Sequence, residues 1–336
     1  MTASTGGAST SGAGDPISAP DDEWTWVDFP AAVCASGAPT GLAVNPHAGS
    51  TNLLIYLEGG GFCTNATNCW GPDAGATNLE GYDANTFASN PPALPALKRT
   101  TTDNPFAQMS MVYVPYCTGD LHSGYSLANL TLPDGGVQPT YFYGARDMQI
   151  FLERLVPTFA QARRVWLLGT SAGGFGTFLN FDRVASAFAV GVDIVDDSGP
   201  PLLVNGKTDN SGLFSAWGYP LPTGCMDCTS LSDVLEYDLR IQQGFSPPGE
   251  LGFLSFDEDT VISTDFGYSL AEYPAILQSF SMGLPASPAA ATFLVSNYPS
   301  HVVESDPALA VQYLPWMSQM VNRNAAWADA TYDGGL

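Results

Sequence analysis

Basic residues are scarce in this chain: 10 Lys and Arg stand against 33 Asp and Glu, a formal net charge of −23 over 336 residues. A surface of that sign repels phosphate backbones and anionic headgroups. It excludes nucleic acid as a partner, argues against acidic membranes, and disfavours a polyanionic substrate such as a uronic-acid glycan. No apolar run reaches the roughly 18 residues that a transmembrane helix needs, so no transmembrane segment is expected. A basic start followed by an apolar core is missing too, because residues 2–14 are all Ser, Thr, Gly or Ala. Residues 1–20 therefore read as a flexible tether of the kind that follows a removed signal peptide or a lipoprotein anchor, though an expression scar has the same composition.

Histidine is scarcer still, with His47, His122 and His301 making up the whole set. Cysteine is limited to Cys34, Cys63, Cys69, Cys117, Cys225 and Cys228. An even number in a lysine-poor chain suits a secreted or extracytoplasmic protein with up to three disulfides, with buried free thiols as the alternative. Cys63 and Cys69 are close enough to close a short loop. Cys225-Met-Asp-Cys228 has the spacing of a redox or zinc motif, yet it sits in a Pro/Gly-rich stretch and lacks a second ligand pair. No metal and no cofactor are expected.

What the chain does contain is core: 45% apolar and 12% aromatic residues, enough for a large folded body. Residues 21–336 read as one α/β domain, in which buried strands alternate with helices around a mainly parallel sheet. Strands are expected at Asn52–Glu58, Met109–Tyr116, Val165–Leu168, Phe188–Val195, Gly252–Phe256 and Ala291–Ser296. Helices are expected near 143–155, 231–243, 270–282 and 307–321. Trp24, Trp26 and Phe29 suggest an extended segment docking on the core. Residues 201–229, rich in Pro and Gly and carrying Trp217 and Tyr219, break the rhythm as a lid-like insertion, and Trp70 is a candidate pocket wall.

The organising stretch is Arg164 to Thr177, where an apolar run ends in Gly169-Thr-Ser171-Ala-Gly173 and a helical pattern of Phe175, Phe178, Leu179, Phe181 and Val184 follows. A serine hydroxyl is a weak nucleophile that must be exposed on a tight turn, where a base reaches one side and backbone N–H groups the other. Ser171 is the candidate nucleophile; a glycine-rich βα turn that merely connects or binds phosphate is the alternative. The strand Asn52–Glu58 runs into Gly59-Gly60-Gly61, whose N–H groups can point at one spot. Gly60 or Gly61 together with Ala172 forms a candidate oxyanion hole. In the chain order Ser, acid, His, His301 is the candidate base, because His47 and His122 precede Ser171. Asp197, Asp257 and Asp259 all qualify as the acid, with the later two favoured. Asp197 could instead cap a turn. Spacing leaves Asp257 and Asp259 unseparated.

These residues resemble the pectin acetylesterase and Notum family of α/β-hydrolases. The resemblance rests on Leu57-Glu-Gly-Gly-Gly-Phe-Cys63, Gly169-Thr-Ser-Ala-Gly-Gly174, Pro115-Tyr-Cys117, Tyr143-Gly-Ala-Arg146, Asp197-Ser-Gly199, Phe256-Asp-Glu258 and Ser300-His301, and it covers about Trp24 to His301. It implies an α/β-hydrolase sheet with helices on both faces, Ser171 as nucleophile, Asp257 rather than Asp259 as acid, and His301 as base. Gly60, Gly61 and Ala172 would donate to the oxyanion. Gly61 is like the plant enzymes, where Notum carries a tryptophan, and Phe62 stands where the plant enzymes carry one. Plant members remove acetyl groups from pectin, and Notum removes an unsaturated fatty acyl group from a signalling protein. The expected function is therefore a serine esterase that removes acetyl or other short acyl groups from a glycan, acting as a monomer on a small-ester or acylated-glycan substrate. A lipid deacylase, a polyester-type esterase and a non-catalytic glycan- or lipid-binding protein of this fold are the alternatives.

Overall fold

The computed structural model describes residues 14–207, 209–285 and 289–335. Nine strands form one sheet: β1 (Thr25–Val33), β2 (Pro39–Asn45), β3 (Asn52–Leu57), β4 (Ser110–Val114), β7 (Arg164–Thr170), β8 (Gly191–Asp197), β9 (Leu251–Phe256), β10 (Ala290–Ser296) and β11 (Ala330–Asp333). Two more, β5 (Ser126–Thr131) and β6 (Val137–Phe142), form a separate antiparallel hairpin. The sheet order is β1-β2-β4-β3-β7-β8-β9-β10-β11. The β1–β2 and β2–β4 pairs are antiparallel and every later pair is parallel. This is an α/β-hydrolase-like sheet, as expected.

The helices are α1 (Ala66–Trp70), α2 (Ala84–Ser89), α3 (Gly144–Thr158), α4 (Ala172–Phe188), α5 (Ser211–Trp217), α6 (Leu231–Gln242), α7 (Thr260–Asp265), α8 (Tyr273–Gly283) and α9 (Ala310–Val321). They cover both faces, so the central strands have no wet side. Along β7, Val165 and Leu167 join one core with Phe151 and Phe178, while Trp166 and Leu168 join the other with Tyr313 and Met317. Strand alternation thus divides a continuous apolar run between two cores.

Some elements differ from expectation. Phe188 belongs to α4 rather than to the following strand, since Gly191 is the first residue to pair with β7. Residues 1–13 of the expected tether lie outside the described residues. The remainder of that segment docks: Ile17 is buried, and its N–H donates to Thr158 Oγ1 at 2.7 Å. The six cysteines pair as Cys34–Cys117, Cys63–Cys69 and Cys225–Cys228, so the last pair is a disulfide and not a metal site.

Because β3, β7, β8, β9 and β10 run parallel, their carboxyl ends form one rim: Leu57, Thr170, Asp197, Phe256 and Ser296. Every candidate nucleophile, acid, base and oxyanion residue lies at or just beyond one of these ends, the usual place for chemistry in such a sheet.

Burial also shapes the response to pH. Desolvation raises the Glu58 carboxyl to about 7, against hydrogen bonds from Tyr116 and Tyr113. It raises Asp197 to about 6, and Asp147, Asp196 and Asp238 also move up through burial. A carboxyl with a raised folded pKa holds a proton that the unfolded chain has released. Stability is therefore lost as pH climbs from about 4 to about 7, by on the order of 3 kcal/mol for a group shifted like Glu58. His122 opposes this on the acid side. Burial lowers it to about 4, so stability falls as pH drops below about 6.5. Five raised carboxyls outweigh the one lowered histidine at every pH above about 4, so the melting temperature should be highest near pH 4 and several degrees lower at about pH 8. Calorimetry at fixed ionic strength checks this; an equal or higher value at the alkaline end would contradict it.

Candidate active site

Ser171 sits between the end of β7 and the start of α4 with φ +54°. That left-handed conformation costs a non-glycine residue on the order of 1–3 kcal/mol, so the surroundings must hold it. The Ser171 N–H donates to the Asp197 carbonyl on β8 at 2.7 Å. Glycines make the crossing possible: a Cβ at Gly173 would collide with the Leu57 carbonyl oxygen, and one at Gly169 with the Gly173 carbonyl.

The imidazole of His301 reaches this hydroxyl. His301 Nε2 lies 2.8 Å from Ser171 Oγ, and Nδ1 lies 2.8 Å from Asp259 Oδ2. A carboxylate only accepts, so Nδ1 carries the proton and the Nε2 lone pair faces the serine hydroxyl, which donates. Asp259 is fully buried. Its Oδ1 accepts the N–H groups of Val261 and Ile262, both at 2.9 Å, as the N-cap of α7. One carboxylate thus caps a helix and orients an imidazole, and neither bond can shift without disturbing the other.

The carboxylate beside the imidazole is Asp259 and not the expected Asp257. Asp257, the residue implied by the resemblance, does not bond the imidazole. It continues the end of β9, its N–H donating to the Val295 carbonyl at 2.9 Å, and its Oδ1 is buried with no partner among the described residues. Burial and the neighbouring Glu258 raise its carboxyl. The chain must leave the strand and begin α7 before a carboxylate points under His301. The third candidate, Asp197, is buried and accepts the N–H groups of Val303 at 3.0 Å and Glu304 at 2.7 Å, the turn-capping alternative. The other histidines stand elsewhere. His47 pairs with Asp22 at the surface, and buried His122 bonds the Glu58 carbonyl through Nε2.

The glycine loop after β3 runs past the nucleophile, where a Cβ at Gly59 would lie 3.1 Å from Ser171 Cβ. Gly61 is left-handed at φ +73° and bridges to Ala76, and the Gly60 carbonyl accepts the Thr77 N–H at 2.9 Å. A Cβ at Gly60 would strike Thr77 and the Tyr116 ring. The Cys63–Cys69 disulfide and the Cys63 N–H bond to the Gly119 carbonyl anchor the far end of this loop. Among the described residues, no protein acceptor takes the N–H of Gly60, Gly61 or Ala172, which leaves them for a ligand.

Two features went unseen in the sequence. An aromatic wall joins the glycine loop to the insertion and to α4: Phe62 packs edge-on against Trp217 at 5.9 Å and Phe266 at 6.3 Å, and Phe266 stacks on Phe175 at 5.4 Å. Trp70, the expected wall, instead bonds Thr140 through its indole N–H at 2.8 Å. The second feature is Asp265, whose carboxyl is raised by burial although His301 lies near enough to oppose the shift. No group of His, Cys, Asp and Glu among the described residues could hold a metal ion.

If Nδ1–H is bonded to Asp259, the protein should give a strongly downfield imidazole proton resonance. Asp259→Asn should abolish it and Asp257→Asn should leave it in place; the opposite pattern would restore Asp257 as the partner.

Residues 23–212 match the family described as pectinacetylesterase. The chain is 28% identical over 248 residues to the mouse palmitoleoyl-protein carboxylesterase NOTUM, covering 72% of this chain and 45% of the relative. To the human protein of that name it is also 28% identical over 248 residues, covering 72% and 46%. To Arabidopsis thaliana pectin acetylesterase 4 it is 29% identical over 155 residues, covering 45% and 36%. The chain spans about half the length of the NOTUM relatives it matches.

Proposed function

Because the chain belongs to the pectinacetylesterase family, we propose that it is a serine carboxylic-ester hydrolase working through an acyl-enzyme. The observation that carries this reading is the relay in which Ser171 Oγ, His301 and Asp259 are joined by two 2.8 Å hydrogen bonds. Ser171 Oγ attacks the ester carbonyl carbon while His301 Nε2 takes its proton. Asp259 holds the imidazole tautomer and stabilises the imidazolium. The carbonyl oxygen becomes an oxyanion that accepts from the N–H groups of Gly60, Gly61 and Ala172. The carbon–alkoxide bond breaks as His301 returns its proton to the departing alcohol. His301 then deprotonates a water, which attacks the acyl-enzyme and frees the carboxylic acid with Ser171 restored.

The substrate we favour is an acetylated or otherwise short-acylated neutral glycan or small ester. The net charge of −23 repels a polyanionic glycan. The half-buried Phe62 ring packs on the fully buried rings of Trp217 and Phe266, so of this cluster Phe62 alone keeps apolar surface for an acyl chain or a sugar ring. Trp217, from the expected insertion, backs the Phe62 ring. No helix among the described residues is long and apolar enough to cross a membrane. Three disulfides in a lysine-poor chain favour an extracytoplasmic site of action.

Ser171→Ala should lower hydrolysis of p-nitrophenyl acetate by about 10⁶-fold with the melting temperature retained. Parent-like turnover in that variant would sink the proposal. Asp259→Asn should cost about 10⁴-fold in kcat, while Asp257→Asn stays within about twofold. Rates across acetyl to octanoyl esters should fall with chain length, and a profile rising toward octanoyl would instead indicate a lipid deacylase.

A further inference from the structure

The base of the proposed relay sits on a loop, and something must hold that loop against the nucleophile. His301 lies five residues beyond the end of β10. The next residue, Val302, has φ +62°, a conformation that a β-branched residue avoids unless its surroundings impose it. Left alone, Val302 would relax and swing the imidazole away.

The partners of residues 302–304 converge on one dipeptide. Asp197 accepts the N–H of Val303 at 3.0 Å on Oδ1 and that of Glu304 at 2.7 Å on Oδ2. Ser198 Oγ accepts the Val302 N–H at 3.2 Å and donates its own proton to Asp197 Oδ1 at 2.9 Å. Three consecutive main-chain N–H groups after His301 are thus taken up by Asp197 and Ser198. The same Asp197 accepts the Ser171 N–H through its backbone carbonyl at 2.7 Å. Ser198, at φ +65°, is itself left-handed, and its N–H donates to the Leu254 carbonyl on β9 at 2.8 Å.

We propose that Asp197, assisted by Ser198, is a positioning residue that sets the distance between His301 and Ser171 by gripping the backbones of both. This rests on the esterase reading of the site. Asp197 touches neither the imidazole nor the serine hydroxyl, and its action passes entirely through main-chain bonds. Glu304 makes the grip asymmetric. Its side chain is fully buried with both carboxyl oxygens unpartnered among the described residues, so of the two neighbouring acids Asp197 alone has donors to hold a negative charge. The other groups about this pair are His301, Asp196 on β8, Tyr56 on β3 and Tyr313 on α9.

The test combines kinetics with the downfield imidazole resonance in Asp197→Asn and Ser198→Ala. An amide at position 197 turns one acceptor into an NH₂ that faces a backbone N–H. Its kcat on p-nitrophenyl acetate should fall about 10²-fold with KM within about twofold, the expected scale for a misplaced reacting group. Ser198→Ala, which removes only the Val302 link, should lower kcat about tenfold by the same argument. Both should broaden or shift the Nδ1–H resonance while the near-ultraviolet dichroism stays native. A parent-like kcat and resonance in folded Asp197→Asn would overturn the proposal; should that variant not fold, parent-like behaviour of Ser198→Ala overturns it instead. If the parent itself proves inert toward esters, the hydrolase reading fails, and the resonance alone still decides whether Asp197 positions His301.

Discussion

The close crossing of α4 over the carboxyl ends of β3 and β7 is the constraint on which the rest depends. A helix can start directly after a buried strand, and within contact of the neighbouring strand's last carbonyl, only if Gly169 and Gly173 carry no side chains there. The turn that results forces Ser171 to φ +54° and lifts its hydroxyl clear of the sheet. The same turn leaves the Ala172 N–H without an acceptor among the described residues. The strain at Ser171 and the direction of its hydroxyl are therefore one event, and the cost is borne by the two cores that clamp β7 from either side.

Around that turn the chain concentrates acid rather than base. Asp259 works as cap and imidazole partner together, Asp197 gathers loop N–H groups, and one oxygen of Asp257 and both of Glu304 are buried without a partner among the described residues. An acidic chain of this kind repels anionic partners. It also ties the protein's stability to protons that the buried acids retain.

The elements most legible in the sequence were those whose pattern has a local cause. The runs that became β3, β7, β9 and β10 are apolar because both faces are covered, and α3, α6 and α9 show helical spacing because one stripe meets the core. Strand β2 was missed because its Pro, Thr, Gly and Ala give no strong run and its pairing with β1 and β4 is non-local. The β5–β6 hairpin was missed because half of its residues face outward and are polar or small. In the candidate site, Ser171, His301 and the glycine loop could be named from motif and chain order, while the acid could not.

The sequence by itself determined the strand-turn-helix around Ser171, the limitation of candidate bases to three histidines and the sign of the electrostatic field, because glycine sterics, residue counts and charge need no partner. Only the tertiary structure shows which of Asp257 and Asp259 lies beside the imidazole. Both follow the same strand, and the choice turns on where α7 begins and therefore on which carboxylate is aimed beneath a loop from β10. The grip of Asp197 on residues 302–304 was likewise decided in space, since a hydrogen bond between chain segments about a hundred residues apart leaves no periodic trace in either one.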